Sequence, residues 1–122
     1  MDIQIVDQGY WFNANHFDFI TQDGIMDSSF QPAIRLYTIT NIDVIPVCRR
    51  QGIGKALLRA ALLHAEELDA RNIIAAITTR ECFDAMSTVF GDSVMADQVG
   101  DYTTDDMRFP SYRTQAFLKH QL

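Results

Sequence analysis

The stretch that decides the fold is Ile42–Leu58, which reads IDVIPVCRRQGIGKALL. Its first four residues belong to a run rich in β-branched and aromatic residues, Leu36–Ile45. This run ends at Pro46 and therefore predicts a strand. Gly52 and Gly54 come next, and a run without Gly or Pro begins after them. The order of strand, glycine turn and helix gathers unpaired backbone N–H groups and the positive end of the helix dipole at one point. Such a point binds anionic phosphate.

The residues after the glycine turn have the periodicity of an amphipathic helix. Apolar residues recur on one face from Ile53 to about Ala70, and charged residues lie opposite. Ile73–Thr79 is apolar on both alternating faces, which predicts a buried parallel strand. A second helix is predicted over 80–90 and a closing strand over 113–119.

The N-terminal part of the chain carries weaker signals. Ile3–Val6 alternates like an edge strand, and Asp23-Gly24 indicates a turn. Asn15–Ile20 is interpreted as one or two helical turns. The aromatic cluster Tyr10-Trp11-Phe12 and His64, which lies on the apolar face of the predicted helix, are interpreted as core residues.

Composition bounds the function. The chain has 122 residues, of which 48% are apolar, and one domain over 1–122 is expected. Its net charge of -6 with only two lysines, Lys55 and Lys119, excludes a non-specific nucleic-acid binder. No apolar run reaches the roughly 18 residues of a membrane span, and the N-terminus lacks the pattern of a signal peptide, so no membrane contact and a cytoplasmic location are expected. Cys48 and Cys82 fit no metal-ligand spacing, and no metal is expected.

Two well-known phosphate loops do not fit the glycine turn. A P-loop requires a glycine where the chain has Arg49 and a Ser or Thr where it has Ala56. The dinucleotide fingerprint requires a third glycine, and its position is Leu57.

A third pattern, Gln/Arg-x-x-Gly-x-Gly/Ala, is matched at every fixed position by Arg49–Gly54. It resembles the pyrophosphate loop of the GNAT superfamily of N-acetyltransferases, and the flanks over Ile42–Leu58 resemble that family's strand, proline, basic turn and helix in order and spacing. The resemblance covers residues 36–92. It implies an α/β (α+β) fold in a single GNAT-like domain, with a mixed central sheet whose parallel strands splay and are flanked by helices.

The resemblance also implies a cofactor site for acetyl-CoA as acyl donor. In the family the pantetheine arm inserts between the splayed strands and the glycine turn holds the pyrophosphate. The residues that correspond are Val44 and Ile45 for the arm, and Arg49, Arg50, Gln51, Gly52, Ile53, Gly54 and Lys55 for the pyrophosphate.

Catalytic residues are less clearly indicated. Many relatives carry a tyrosine general acid where this chain has Ser87. Ser87 or the adjacent Thr88 is therefore the candidate donor to the leaving sulfur, with Tyr102 and Tyr112 as alternatives from elsewhere in the chain.

The candidate general base also departs from the family. Some relatives have a glutamate early in the strand before the turn, where this chain has Thr38. The nearest carboxylate on that strand is Asp43, which is the candidate, and His16 is a second one.

These observations predict an N-acetyltransferase for a cationic acceptor. Asp92–Asp106 is acidic and lies where the acceptor groove is bordered in relatives, which favours a protein lysine or N-terminus, a polyamine or another small amine. The N-terminal part is shorter than is usual in the family, so an open acceptor side, or one completed by a second subunit in a homodimer, is expected. The alternative is a non-catalytic GNAT-fold binding or interaction protein that retains the CoA site.

Overall fold

A six-stranded sheet and one long helix make up most of the described part of the chain. The computed structural model describes residues 2–44, 52–76, 85–86, 88–90 and 117–121. Residues 85–86 and 88–90 are helical. The other elements are β1 (Gln4–Trp11), β2 (Ala14–Thr21), β3 (Gly24–Gln31), β4 (Leu36–Val44), α1 (Ile53–Glu67), β5 (Asn72–Ala76) and β6 (Phe117–Gln121).

The strands lie in the sheet in the order in which they occur in the chain. β1 to β4 form an antiparallel meander, β4 pairs parallel with β5, and β5 pairs antiparallel with β6. α1 is the crossover between the two parallel strands, as a parallel pair requires. The mixed sheet and the central order of strand, turn, helix and strand are therefore confirmed.

The prediction of helical turns over Asn15–Ile20 is wrong, because this segment belongs to β2. Phe17 and Phe19 are buried, and the polar residue between them lies on the other face. This alternation has the period of two that is typical of a strand and not the period of a helix. The turn from β1 has two residues, Phe12 and Asn13, both with positive φ (51° and 62°). Two such residues make the tight turn that matches the twist of a hairpin.

The aromatic cluster at this turn is exposed, contrary to the interpretation as core. Tyr10 is 58% exposed, Trp11 43% and Phe12 89%. Trp11 instead stacks on His16, with ring centroids 3.7 Å apart and an interplanar angle of 11°. The cluster sits at the free edge of the sheet, where the β1–β2 turn leaves the core.

α1 packs across the middle of the sheet and begins at Ile53 as predicted. It ends at Glu67, slightly earlier than predicted, because Asp69 adopts a left-handed conformation with φ 60°. Arg35, at the start of β4, fastens this end: its Nε donates to the Asp69 carbonyl over 2.8 Å, and its own carbonyl accepts from the Arg71 N–H over 2.7 Å. Among the described residues no helix is long and apolar enough to cross a membrane.

A buried polar chain joins α1 to the sheet. The Tyr37 hydroxyl lies 2.8 Å from Ser28 Oγ and 2.9 Å from His64 Nδ1. The phenol has one proton, so it donates in one contact and accepts in the other. Phe17 meets the imidazole edge to face at 4.5 Å. The core role predicted for His64 is confirmed.

The two faces of the sheet differ in chemistry. The face that packs on α1, here called the α1 face, carries the buried apolar side chains, such as Phe19, Met26 and Ile39. The opposite face, here called the distal face, carries polar side chains. Strand alternation and register assign Asp18, Asp27, Ser29, Thr38, Asn41 and Asp43 to the distal face.

Candidate functional site

The two parallel strands separate partway along their length. β4 and β5 pair only where Leu36–Ile39 faces Asn72–Ala75. β4 continues to Val44, and over Asn41–Val44 it pairs with β3 on its other side. The end of this pairing agrees with the predicted splaying, and residues 77–84, which follow β5, lie outside the described residues. Among the described strands, none pairs with β4 over Thr40–Val44 on the side that faces β5; this unpaired side is here called the gap, and Ile39 marks its closed end.

A β-bulge marks the closed end of this gap. The register jumps from Ser28 opposite Ile39 to Asp27 opposite Asn41, which leaves Thr40 as the extra residue. The Thr40 hydroxyl donates to the Asp27 carbonyl over 3.1 Å and holds the bulge against β3. Because a bulge bends its strand and increases the twist, β4 changes direction at the point where its described pairing with β5 ends.

The gap runs along β4 to the end of this strand at Val44, and the next described element in the chain is α1. Gly52 is the N-cap residue, with φ 82° and ψ 5°, and no side chain caps the helix. The first intrahelical hydrogen bond runs from the Ala56 N–H to the Gly52 carbonyl over 2.9 Å. The N–H groups of residues 53–55 therefore have no intrahelical acceptor. No acidic residue occupies the first turn, so nothing on it offsets the positive end of the helix dipole.

The two glycines of the turn serve different purposes. Gly52 has the left-handed conformation that side chains rarely adopt. Gly54 does not have a positive φ, and a Cβ built on it meets no described atom within 4 Å. Neither the backbone conformation nor the packing of the described residues calls for glycine at position 54. Close approach of a ligand to the backbone is a physical reason for glycine there.

The structure brings together part of the predicted cofactor site. Gly52, Ile53, Gly54 and Lys55 lie at the N-terminus of α1, where the Ile53 side chain is buried and anchors the turn. The backbone of Val44 ends β4 beside the gap. The remaining predicted site residues lie outside the described residues; they are Ile45, Arg49, Arg50, Gln51 and Ser87.

The two candidate bases from the sequence both lie on β-strands. Asp43 is exposed near the end of β4, directly opposite Ile25. His16 lies on β2, and its Nε2 is 3.1 Å from the Trp11 carbonyl. The ring of His16 is thus already engaged by the β1–β2 hairpin.

The structure also reveals a carboxylate pair that the sequence analysis missed. Asp18 and Asp27 are direct cross-strand partners on the distal face. Burial, a hydrogen bond with Asp18 and the Asp18 charge all raise the pKa of Asp27 above its usual value. The alternation of Phe17, Asp18 and Phe19 was a sequence signal for the face on which Asp18 lies. Only the strand register identifies its partner.

Among the described residues, no group of three or more His, Cys, Asp or Glu side chains is arranged to bind a metal ion.

Comparison with known proteins agrees with this architecture. A search of curated proteins finds no significant match. Among solved structures, the chain is similar to a Bacillus subtilis acetyltransferase in complex with CoA, with a TM-score of 0.67 and 16% identity over 93% of this chain and 80% of that one. It is also similar to nourseothricin acetyltransferase, with a TM-score of 0.63 and 16% identity over 98% and 82% of the two chains.

A third similar structure is the ribosomal-protein-S18-alanine N-acetyltransferase from Escherichia coli, with a TM-score of 0.62 and 15% identity over 93% of this chain and 72% of that one. These similarities establish the fold. The family follows from the sequence itself, because residues 22–87, more than half of the chain, match the model of the acetyltransferase (GNAT) family. The predicted family and class of enzyme are confirmed: the chain belongs to the GNAT family of N-acetyltransferases.

Proposed function

We propose that this protein transfers the acetyl group of acetyl-CoA to an amine of a cationic acceptor. Acceptors of this class are a protein lysine or N-terminus, a polyamine or another small amine. The observation that carries the proposal is the uncapped N-terminus of α1, which follows in the chain after β4, a strand whose described parallel pairing stops at Ile39. An extended arm with an anionic end fits these two features, because strand backbone of β4 without a described partner suits the arm and unpaired N–H groups suit the anion.

The residues of the chain fit that donor. The amides of Ile53, Gly54 and Lys55 bind the pyrophosphate, and the absence of a side chain at Gly54 lets the phosphate oxygens reach the backbone. Arg49 and Arg50 are proposed as paired donors to the same oxygens. The backbone of Val44 and Ile45 bonds the pantetheine arm as a neighbouring strand would.

The chain then has to position an amine and manage its protons. When bound, acetyl-CoA supplies the activated acyl group as a thioester. A carboxylate on the distal face accepts a proton from the incoming ammonium, and Asp43 is the candidate from the sequence. Ser87 is the candidate donor to the leaving sulfur. The net charge of -6 supports a cationic acceptor, because the overall field of the protein attracts one.

Titration calorimetry with acetyl-CoA tests the donor, and a thiol-release assay with an amine panel tests the transfer. Binding in the micromolar range together with CoA release is expected. No heat at millimolar acetyl-CoA would remove the basis of the proposal. Binding without release on any amine would favour a non-catalytic protein that retains the CoA site.

Gel filtration with light scattering tests whether the protein is a homodimer, in which a second subunit would complete the acceptor side. A monomer at the concentration used for the activity assay would exclude a shared site.

A further inference from the structure

We infer that the Asp18–Asp27 pair on the distal face is the acceptor site, which anchors a primary alkylammonium group and places Asp27 to accept its proton. This inference rests on the proposed function, since it assigns the amine side of the same reaction. It replaces Asp43 by Asp27 as the group that takes the proton.

The closed end of the gap fixes the position of the reacting carbonyl. With the pyrophosphate at the N-terminus of α1, an arm that enters the gap runs back along β4 towards Thr40. It can go no further, because β4 and β5 are paired from Ile39 and Ala75 onwards. The thioester at the tip of the arm is therefore next to the bulge at Thr40.

Among the described residues, the distal face is the one that gives an amine access to that point. On the α1 face, Ile39 and Ala75 are 2% and 1% exposed, and Leu57 of α1 is fully buried. A charged amine does not enter such packing. On the distal face, Asn41 beside the bulge is exposed. The acceptor must come from the distal face.

By strand register, Asp27 is the nearest to the bulge of the carboxylates that the described strands place on that face. It lies directly opposite Asn41, and its own carbonyl accepts the hydrogen bond from Thr40. Asp43 lies two residues beyond Asn41 along β4, towards the end of the strand at Val44. Asp18 lies opposite Asp27 on the other side, and its Oδ2 accepts a hydrogen bond from Gln8 Nε2 over 2.8 Å.

A buried hydroxyl next to the pair provides an independent indication of a ligand. Ser29 is only 7% exposed, and its hydroxyl makes no hydrogen bond to any residue that the structure describes. It lies on the same face as Asp27, two positions along β3, and opposite His16. A buried hydroxyl without a partner is costly, so a group that binds between the carboxylates and also accepts or donates to Ser29 removes that cost.

A primary ammonium matches these groups. Its three N–H donors suit two carboxylates and one hydroxyl, and its charge relieves the repulsion between Asp18 and Asp27. The raised pKa of Asp27 also suits a group that must hold a proton during turnover. Polyamines and lysine side chains both present this chemistry.

The protons of the reaction balance with Asp27 as base. The ammonium has three N–H protons, and the Asp27 carboxylate takes the first, which frees the nitrogen lone pair. The N–C bond to the acetyl carbon forms as the C–S bond breaks, and the electron pair of that bond leaves on sulfur. The second proton passes from nitrogen to sulfur to give the thiol, and the third stays on the amide.

Kinetics of three variants test the assignment, with spermidine and Nα-acetyl-lysine amide as separate amines. D27N is expected to lower kcat by about 100-fold or more, as for loss of a general base. D18N is expected to raise KM by about tenfold through loss of one charged partner. E66Q removes an exposed carboxylate from α1 and is the charge-matched control, expected to behave as the wild type. The amine that the wild-type enzyme acetylates faster shows whether the ammonium group of the acceptor belongs to a polyamine or to a lysine side chain.

The pH profile separates catalysis from a merely structural role. The groups around Asp27 are Asp18 and His16 on β2, Ser29 on β3, and Asn41 and Asp43 on β4. Because Asp18 raises the pKa of Asp27, the acidic limb of kcat/KM in D18N is expected to move to lower pH. A D27N enzyme with kcat within about threefold of the wild type would overturn the inference, as would loss of kcat in D43N alone.

Direct binding keeps the test decisive even without turnover. In NMR, the carboxyl carbons of Asp18 and Asp27 are expected to shift on addition of spermidine to the CoA-saturated protein, but not on addition of tetramethylammonium. No shift with spermidine, or equal shifts with both cations, would contradict the site. If acetyl-CoA itself does not bind, the proposed function fails, and the same titration without CoA still decides whether the pair binds an ammonium.

Discussion

Replacement of Tyr37 by Phe removes one oxygen atom from the centre of the protein, and its cost follows from the contacts of that atom. Among the described residues, the Tyr37 hydroxyl links Ser28 on β3 to His64 on α1, at 2.8 Å and 2.9 Å. Tyr37 is fully buried, and burial raises the pKa of its hydroxyl well above the usual range, so the group is a neutral phenol at all accessible pH values.

The substitution leaves two buried groups without their partner. Ser28 is 2% exposed and His64 9%, so water does not readily replace the phenol. Each unsatisfied buried group costs about 1–3 kcal/mol, and the Phe ring retains the apolar contacts, so Y37F is expected to lose about 3 kcal/mol of unfolding free energy. For a domain of this size the melting temperature falls by about 10 °C.

Urea unfolding followed by circular dichroism measures this loss. The midpoint is expected to move to lower urea without a change in slope, because the surface exposed on unfolding is the same. Y10F is the matched control, since Tyr10 is 58% exposed, and surface changes of this kind stay within about 0.5 kcal/mol. In the double variant S28A/Y37F the added cost is expected to be small, because one unsatisfied group is gone. A loss below about 0.5 kcal/mol in Y37F would refute the reasoning.

Further predictions concern the glycine turn, the core histidine and the first hairpin. G54A is expected to stabilise the fold by about 0.5–1 kcal/mol through helix propensity while weakening acetyl-CoA binding in calorimetry; unchanged binding would place the anion site elsewhere. G52A is expected to destabilise by about 1–2 kcal/mol, because its φ is 82°. Burial lowers the pKa of His64 below 6.5, outweighing the nearby charges of Glu67 and Asp7, so the unfolded chain binds this proton more readily. Unfolding free energy should therefore decrease as pH falls below about 6.5, and H64Q should flatten that decrease in urea titrations. F12G is expected to raise the melting temperature slightly, since it relieves a positive φ at a side chain that is 89% exposed; a lower melting temperature would show that Phe12 stabilises the turn.

Local sequence signals were sufficient for the centre of the fold. Pro46 and the two glycines mark the ends of β4 and the start of α1, and the periodicity changes from two to that of a helix between them. The amphipathic pattern of α1 extends over 15 residues, so it predicts the helix even where single positions are ambiguous. The same local signals identified the phosphate-binding part of the candidate site.

The contacts that the sequence did not predict depend on which strands become neighbours in the sheet. Asp18 and Asp27 meet only because the β2–β3 register makes them partners, and Tyr37 meets His64 across 27 positions of sequence. Neither contact has a local pattern. The misinterpretation of Asn15–Ile20 has a different origin, because Phe12 and Asn13 form a hairpin turn without the usual glycine.

Arg35 anchors one end of the parallel strand pair. Its bonds to Asp69 and Arg71 tie the start of β4 to the start of β5, and among the described residues the two strands pair no further than Ile39 and Ala75. In a strand pair that is anchored at one end, a small rotation at the anchor becomes a larger displacement at the far ends, here called the tips. Hydrogen exchange is therefore expected to be slowest at Ile73 and to increase towards Ala76, and a bound acyl donor should slow exchange most at the tips.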